Sequence, residues 1–160
     1  MICFILYYII SVLLGQIFQY YCDIGFSFSV DIFLIILIFN SLNFAFNVGL
    51  ISSILHGFIM EYFNGLPLGF FVFCYVLVFY LLYKIKIVVP KSMFSVTMFF
   101  IFSKFIIWFV AMIFADFVDL KGFNYSIFDL NLIINIVFLN FLYPILNYFT
   151  RSFYTIREEY

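Results

Sequence analysis

Charge is scarce in this chain. Of its 160 residues, 7 are Lys or Arg and 8 are Asp or Glu, so that only 9% of the sequence is charged. A soluble domain carries roughly 25% charged residues, because polar groups must cover its surface. With 68% hydrophobic residues and a mean hydropathy of +1.26, the chain instead indicates a protein whose solvent is the lipid bilayer.

Positive charge is scarce as well, with 7 Lys or Arg residues. The formal net charge is −1 and there is no basic patch, which excludes nucleic acid as a partner. The groupings of residues that carry chemistry are also missing: the three cysteines (Cys3, Cys22 and Cys74) lack metal or redox spacing, and there is one histidine. Nucleophile–base pairs, phosphate loops and HExxH motifs are absent. We therefore expect no catalytic residue, no cofactor and no metal site.

What the sequence does contain is a series of long apolar runs. A membrane span needs about 20 mostly apolar residues. The first run lacks the positive flank and cleavage site of a signal peptide, so we interpret it as a span. The prediction is an all-α integral membrane protein with one compact bundle over residues 1–160. Its six predicted transmembrane helices cover about 2–21, 31–45, 47–63, 67–83, 93–114 and 129–149.

The division of the apolar run from Asp31 to Phe63 rests on its polar centre, which contains Asn40, Ser41, Asn43 and Asn47. These side chains would be costly in the middle of one long helix, whereas a turn between two shorter helices allows water or backbone groups to satisfy them. A single long helix, and hence five spans, stays open as the alternative.

Basic residues cluster on one side of the six-span topology. They are Lys84, Lys86, Lys91, Arg151 and Arg157. The opposite loops contain mostly aspartates, with Lys121 as the exception. The positive-inside rule places the basic side in the cytoplasm, together with both termini if there are six spans. Five spans would place the N-terminus outside.

Ionisable and amide side chains inside the spans are functional candidates, because they are expensive in lipid. Glu61 lies near the end of the third span, where contact with headgroup water is the simpler explanation. Lys104 falls mid-span, where it must snorkel, deprotonate or face a partner such as Glu61 or Asp31, and we expect a structural pair. For His56 we expect a structural hydrogen bond to another helix, since zinc needs three or four ligands. Asn131 and Asn135 share a helix face and suit interhelical hydrogen bonds.

The most distinctive pattern is a glycine, three apolar residues, an acid, a short step to glycine, and then Pro-Leu-Gly. The residues concerned are Gly57, Glu61, Gly65, Pro67, Leu68 and Gly69. In this pattern and in its length the chain resembles the MreD family of bacterial rod-shape-determining membrane proteins. Glu61 stands where that family usually has Asp. At the start of the second span the family tends to have Pro-Asp, and here only the acid, Asp31, is present.

The resemblance implies a function that composition does not. MreD-like proteins are multi-pass proteins of the bacterial cytoplasmic membrane, and they act with the bitopic protein MreC in cell elongation. That machinery couples MreB filaments to a RodA-type glycosyltransferase and its transpeptidase. The chain would then be a non-enzymatic scaffold or regulatory subunit in peptidoglycan synthesis, with Asp31 and the motif residues as a possible partner site. The simpler alternative is that the Gly/Pro corner only fixes a turn.

A second functional class remains. Substrate-binding S components of energy-coupling-factor vitamin transporters are also small six-span proteins, and the MreD family resembles them in layout. Such a subunit needs polar groups converging on a pocket near the outer side. His56, Lys104, Asn131 and Asn135 are the candidates for that lining.

Overall fold

A computed structural model describes residues 30–64, 69–114 and 130–153, together with the helical positions Ile9, Val12, Leu13, Gly15 and Ile17. The described part is all-α. Its five continuous helices are α1 (Ile32–Asn43), α2 (Phe46–Asn64), α3 (Phe70–Ile85), α4 (Met93–Phe114) and α5 (Leu130–Phe153). Their bounds lie within a few residues of the five later predicted spans. Most of the first predicted span, 2–21, lies outside the described residues.

Helix α1 is the centre of the bundle. Every residue from Ile32 to Leu42 is buried, so this helix is covered on all sides. A helix that is apolar all round is one that other helices surround. Gly15 lies against it, since a methyl group added there would be 3.3 Å from the Phe33 ring. With 12 residues α1 is only about 18 Å long, which is much shorter than a bilayer core.

Helices α1 and α2 form an antiparallel hairpin with a short connection. Phe44 has extended backbone angles and ends α1, and the Asn43 amide donates to the carbonyl oxygen of Phe39 at 3.0 Å. The break falls inside the polar stretch that predicted it, but Asn40 and Ser41 lie buried within α1 rather than in the turn. Contacts of Phe33 with His56 and of Asn40 with Ser52 fix the antiparallel direction.

Helix α3 returns antiparallel to α2. Phe46 at the start of α2 packs against Phe79 and Tyr83, with ring centroids 5.6 and 5.2 Å apart. Helix α5 runs parallel to α1, because residues near the start and the end of α1 contact α5 in the same order. One such contact joins the rings of Phe39 and Tyr143 at 5.6 Å. Phe73 near the start of α3 contacts Phe114 at the end of α4, with ring centroids 6.2 Å apart. Successive helices therefore alternate in direction.

The outside of the bundle is apolar and its interior is partly polar. Helix α4 exposes a stripe with helical spacing, formed by Phe94, Met98, Phe102, Phe105, Phe109 and Met112. Helix α5 exposes Leu130, Ile133, Val137, Phe141, Ile145 and Tyr148. The buried polar side chains include Asn40, Ser52, Ser53, His56, Glu61, Ser103 and Asn135. By length and composition, the described helices Met93–Phe114 and Leu130–Tyr148 are able to cross a membrane.

Candidate functional site: two polar clusters

The first cluster is the corner between α2 and α3, which contains the described part of the Gly/Pro motif. Glu61 projects from the last turns of α2 and is only 1% exposed. One carboxylate oxygen accepts a hydrogen bond from the Gly69 N–H and the other from the Val72 N–H, both at 2.9 Å. These are two of the N–H groups that the first turn of α3 leaves without an intrahelical acceptor. Glu61 is therefore a capping anion supplied by the preceding helix.

Gly57 lies one turn before Glu61 and permits this contact. A Cβ atom at Gly57 would be 2.6 Å from the Val72 Cα and 2.8 Å from the Val72 N. Only glycine lets the backbones of α2 and α3 come so close. The Val72 N–H is thus brought within reach of the Glu61 carboxylate by the residue one turn earlier on α2. The two motif positions form one physical unit.

Gly69 is the third residue of the corner and lies directly before α3. It precedes α3 with φ of 103°, a left-handed conformation in which a side chain is strained. Helix α3 therefore begins at Phe70, three residues after the predicted start at Pro67. The start shifts because Gly69 leaves helical geometry and Glu61 takes the first N–H groups. Gly65, Pro67 and Leu68 lie outside the described residues.

The second cluster joins three helices around Asp31. The Lys104 ammonium of α4 forms an ion pair with the Asp31 carboxylate, and the two side chains are 31% and 19% exposed. The Asp31 N–H donates to the Asn135 Oδ1 of α5 at 2.7 Å. The Asn135 amide in turn donates to the carbonyl oxygen of Asn131 at 2.7 Å. The mid-span lysine thus pairs with Asp31 rather than with Glu61, which belongs to the other cluster.

His56 belongs to neither cluster. It is fully buried on α2, with its Nδ1 at 2.7 Å from the Ser52 carbonyl oxygen and 3.1 Å from the Ser52 hydroxyl. The Asn40 amide of α1 donates to the same hydroxyl at 2.8 Å. The expected link from His56 to another helix thus runs through Ser52. Ser52 was not among the predicted residues, although a serine four residues before a histidine on a helix was the available sign.

Both clusters consist of contacts between different helices. Among the residues that the structure describes, no three His, Cys, Asp or Glu side chains are grouped to hold a metal ion. Cys74 is a buried free thiol on α3. Glu61 interacts with backbone dipoles, and Asp31 with an ammonium and an amide. No protein-family model, curated protein or solved structure matches this chain.

Proposed function

We propose that this chain is a non-enzymatic membrane scaffold or regulatory subunit of the bacterial cell-elongation machinery, related to MreD. It acts in the cytoplasmic membrane, with both termini cytoplasmic, beside an MreC-like bitopic partner. The RodA-type glycosyltransferase, its transpeptidase and MreB are more distant members of the same assembly. The observation that carries the proposal is the corner formed by Gly57, Glu61 and Gly69.

That corner supports the resemblance because one structural feature, the contact between α2 and α3, explains why the motif needs both its glycines and its acid. Gly57 permits the close approach, Glu61 caps α3, and Gly69 adopts the backbone conformation that starts it. If an apolar sequence matched the pattern only through its composition, its glycine and its acid would have no reason to contact the same residue, Val72. The motif thus behaves as one structural unit, as expected of a family signature.

A scaffold in lipid also needs faces on which partner helices can pack. Association there depends on van der Waals packing and hydrogen bonds, since apolar burial gives little drive between helices. The exposed stripes of α4 and α5 are rich in large side chains, and α2 adds Ile51, Leu55 and Phe58. These faces are available to lipid or to the transmembrane helix of a bitopic partner.

The test is to tag the full chain in its own host, extract it in a gentle detergent and identify the copurifying proteins by mass spectrometry. An MreC-like protein together with cell-wall synthases is the expected result. Glu61→Ala is then compared with Asp116→Ala for cell shape, with the membrane abundance of each variant measured in parallel. Recovery of neither an MreC-like protein nor a synthase would contradict the proposal.

Vitamin uptake is the second candidate, because Lys104, Asp31 and Asn135 converge and both charged groups are partly exposed. A polar cluster within an apolar bundle is the kind of feature that binds a solute. His56 does not join it, so that only part of the expected lining comes together. Copurification of a pair of ATPases with a second integral subunit would replace the elongation proposal by this one.

A further inference from the structure

The connection between α3 and α4 is a compact turn with an apolar tip. We call residues 84–91 the lysine loop. The N–H groups of Val88 and Val89 both donate to the Ile85 carbonyl oxygen, at 3.0 and 3.2 Å, so the chain is folded tightly back. Ile87 and Val88 are 77% and 84% exposed at this turn. In water, two adjacent branched apolar side chains at such exposure would be unfavourable.

The three lysines of the loop have different roles. Lys86 is turned inward: its ammonium lies 3.9 Å from the centroid of the Tyr83 ring and 3.4 Å from the Phe44 carbonyl oxygen. It therefore ties the loop to the end of α1. Lys84 lies over the Tyr80 ring at 5.7 Å and is exposed, as is Lys91. Two exposed lysines thus flank the apolar tip in the sequence.

This positive charge has no acidic neighbour along the chain. Between Glu61 and Asp116 the sequence contains no acidic residue at all. Glu61 itself lies near the end of α2 and caps the start of α3, which is the end of α3 away from the lysine loop. The tyrosines beneath the lysines are the residues that membrane proteins place at the level of the lipid headgroups.

We propose that the lysine loop is a binding surface for anionic phospholipid headgroups. Lys84 and Lys91 contact the phosphates, while Ile87 and Val88 enter the boundary between headgroups and acyl chains. Basic segments beside a membrane helix attract anionic lipids in this way. The proposal rests on the membrane setting proposed above, but it does not depend on the role in cell elongation. An acidic segment of a partner protein is the competing occupant, and it gives no reason for the apolar tip.

The experiment uses the full chain in mild detergent with an equimolar mixture of phosphatidylglycerol and phosphatidylcholine. Native mass spectrometry measures the ratio of the two lipids retained. The test variant is Lys84→Gln/Lys91→Gln, which spares the inward-facing Lys86. Lys121→Gln, which removes one positive charge from the loop predicted on the other side, is the control. Circular dichroism verifies that each variant keeps the helix content of the parent.

The parent chain and Lys121→Gln are expected to retain phosphatidylglycerol preferentially, and the double variant to lose about tenfold of that preference. Ile87→Ser/Val88→Ser is expected to reduce retention of both lipids. Equal retention of the two lipids by the parent, or an unchanged preference in the double variant, would overturn the proposal. So would loss of a copurifying protein in the double variant with its lipid preference intact. Because partner recovery is measured separately, failure here leaves the elongation proposal standing.

Discussion

Glu61 is a carboxylate with almost no solvent contact, and backbone N–H groups of the next helix stabilise it. Hydrogen bonds to a charged group contribute more than neutral ones, and a buried donor without its acceptor is costly. We expect Glu61→Ala to lower the free energy of unfolding by about 2–3 kcal/mol. The stability of Glu61→Gln should lie between that of the parent and that of Glu61→Ala, because the amide lacks the charge and has one acceptor oxygen. Denaturation in detergent micelles, followed by circular dichroism, measures this.

The control for Glu61 is its neighbour Tyr62, which is 81% exposed. Tyr62→Ala removes a larger side chain from the surface and should change stability little. If both alanine variants unfold at the same denaturant concentration, the capping role of Glu61 is wrong.

Gly57 is held against backbone, which cannot rotate away as a side chain can. Gly57→Ala should force α2 and α3 apart and lengthen the 2.9 Å bond between Glu61 and the Val72 N–H. Overpacking of this kind costs about 1–3 kcal/mol. Gly15→Ala is the matched control, because the added methyl group would lie 3.3 Å from a phenylalanine ring. Both changes gain the same helix propensity, so equal melting temperatures would show that the close approach is not limiting.

Among the elements, α1 depends on groups from two other helices at its first residues. Asp31→Asn and Lys104→Met should each destabilise the bundle, since each leaves the opposite charge without its partner. The double variant should lose less than the sum, with a coupling energy of about 1–2 kcal/mol. A double-mutant cycle of unfolding measurements gives this value directly. Strict additivity would mean that the ion pair contributes nothing, as is common for exposed pairs.

The elements themselves were largely predictable, and their contacts were not. The helix Met93–Phe114 has its predicted bounds, because the apolar run ends at polar segments on both sides. The break near Phe44 was predicted from the cost of asparagines within a helix, yet Asn40 and Asn43 lie inside α1 and Asn47 lies inside α2. The choice of Asp31 for Lys104 did not follow, since the two residues are 73 positions apart in sequence. Hydropathy gives no rotation of one helix against another, and that rotation decides which side chains meet.

The corner between α2 and α3 also shows that contacts between helices could not be predicted from the sequence. Its residues were recognisable as a unit from their spacing, but the acceptor role of Glu61 required knowing that α3 starts at Phe70. A helix beginning at Pro67 would have presented different N–H groups. Gly69 moves the start because its left-handed φ interrupts the helical backbone. The acceptor role of Glu61 could therefore not be predicted from a helix α3 that starts three residues earlier.

For the whole molecule, the alternating helix directions predict which connections between helices lie on the same side of the membrane. The start of α2 contacts the end of α3, as the Phe46 and Tyr83 rings show, so both ends lie at one end of the bundle. Asn47 and Lys91 are exposed there. In a background with the native cysteines replaced, Asn47→Cys and Lys91→Cys should react with an impermeant maleimide from the same side of the membrane. Asp119→Cys, in the segment predicted to be the loop after α4, should react from the other side.

The three labels separate the competing topologies because each depends on a different crossing. If 31–63 were one long helix, Asn47→Cys would be near the bilayer centre and protected from both sides. If α4 did not cross, Asp119→Cys would react from the side of Lys91→Cys. At 22 residues α4 is about 33 Å long, enough for the hydrocarbon core, so we expect the crossing. Six spans predict that Asn47 and Lys91 label from the cytoplasm, where the positive-inside rule places the lysine loop.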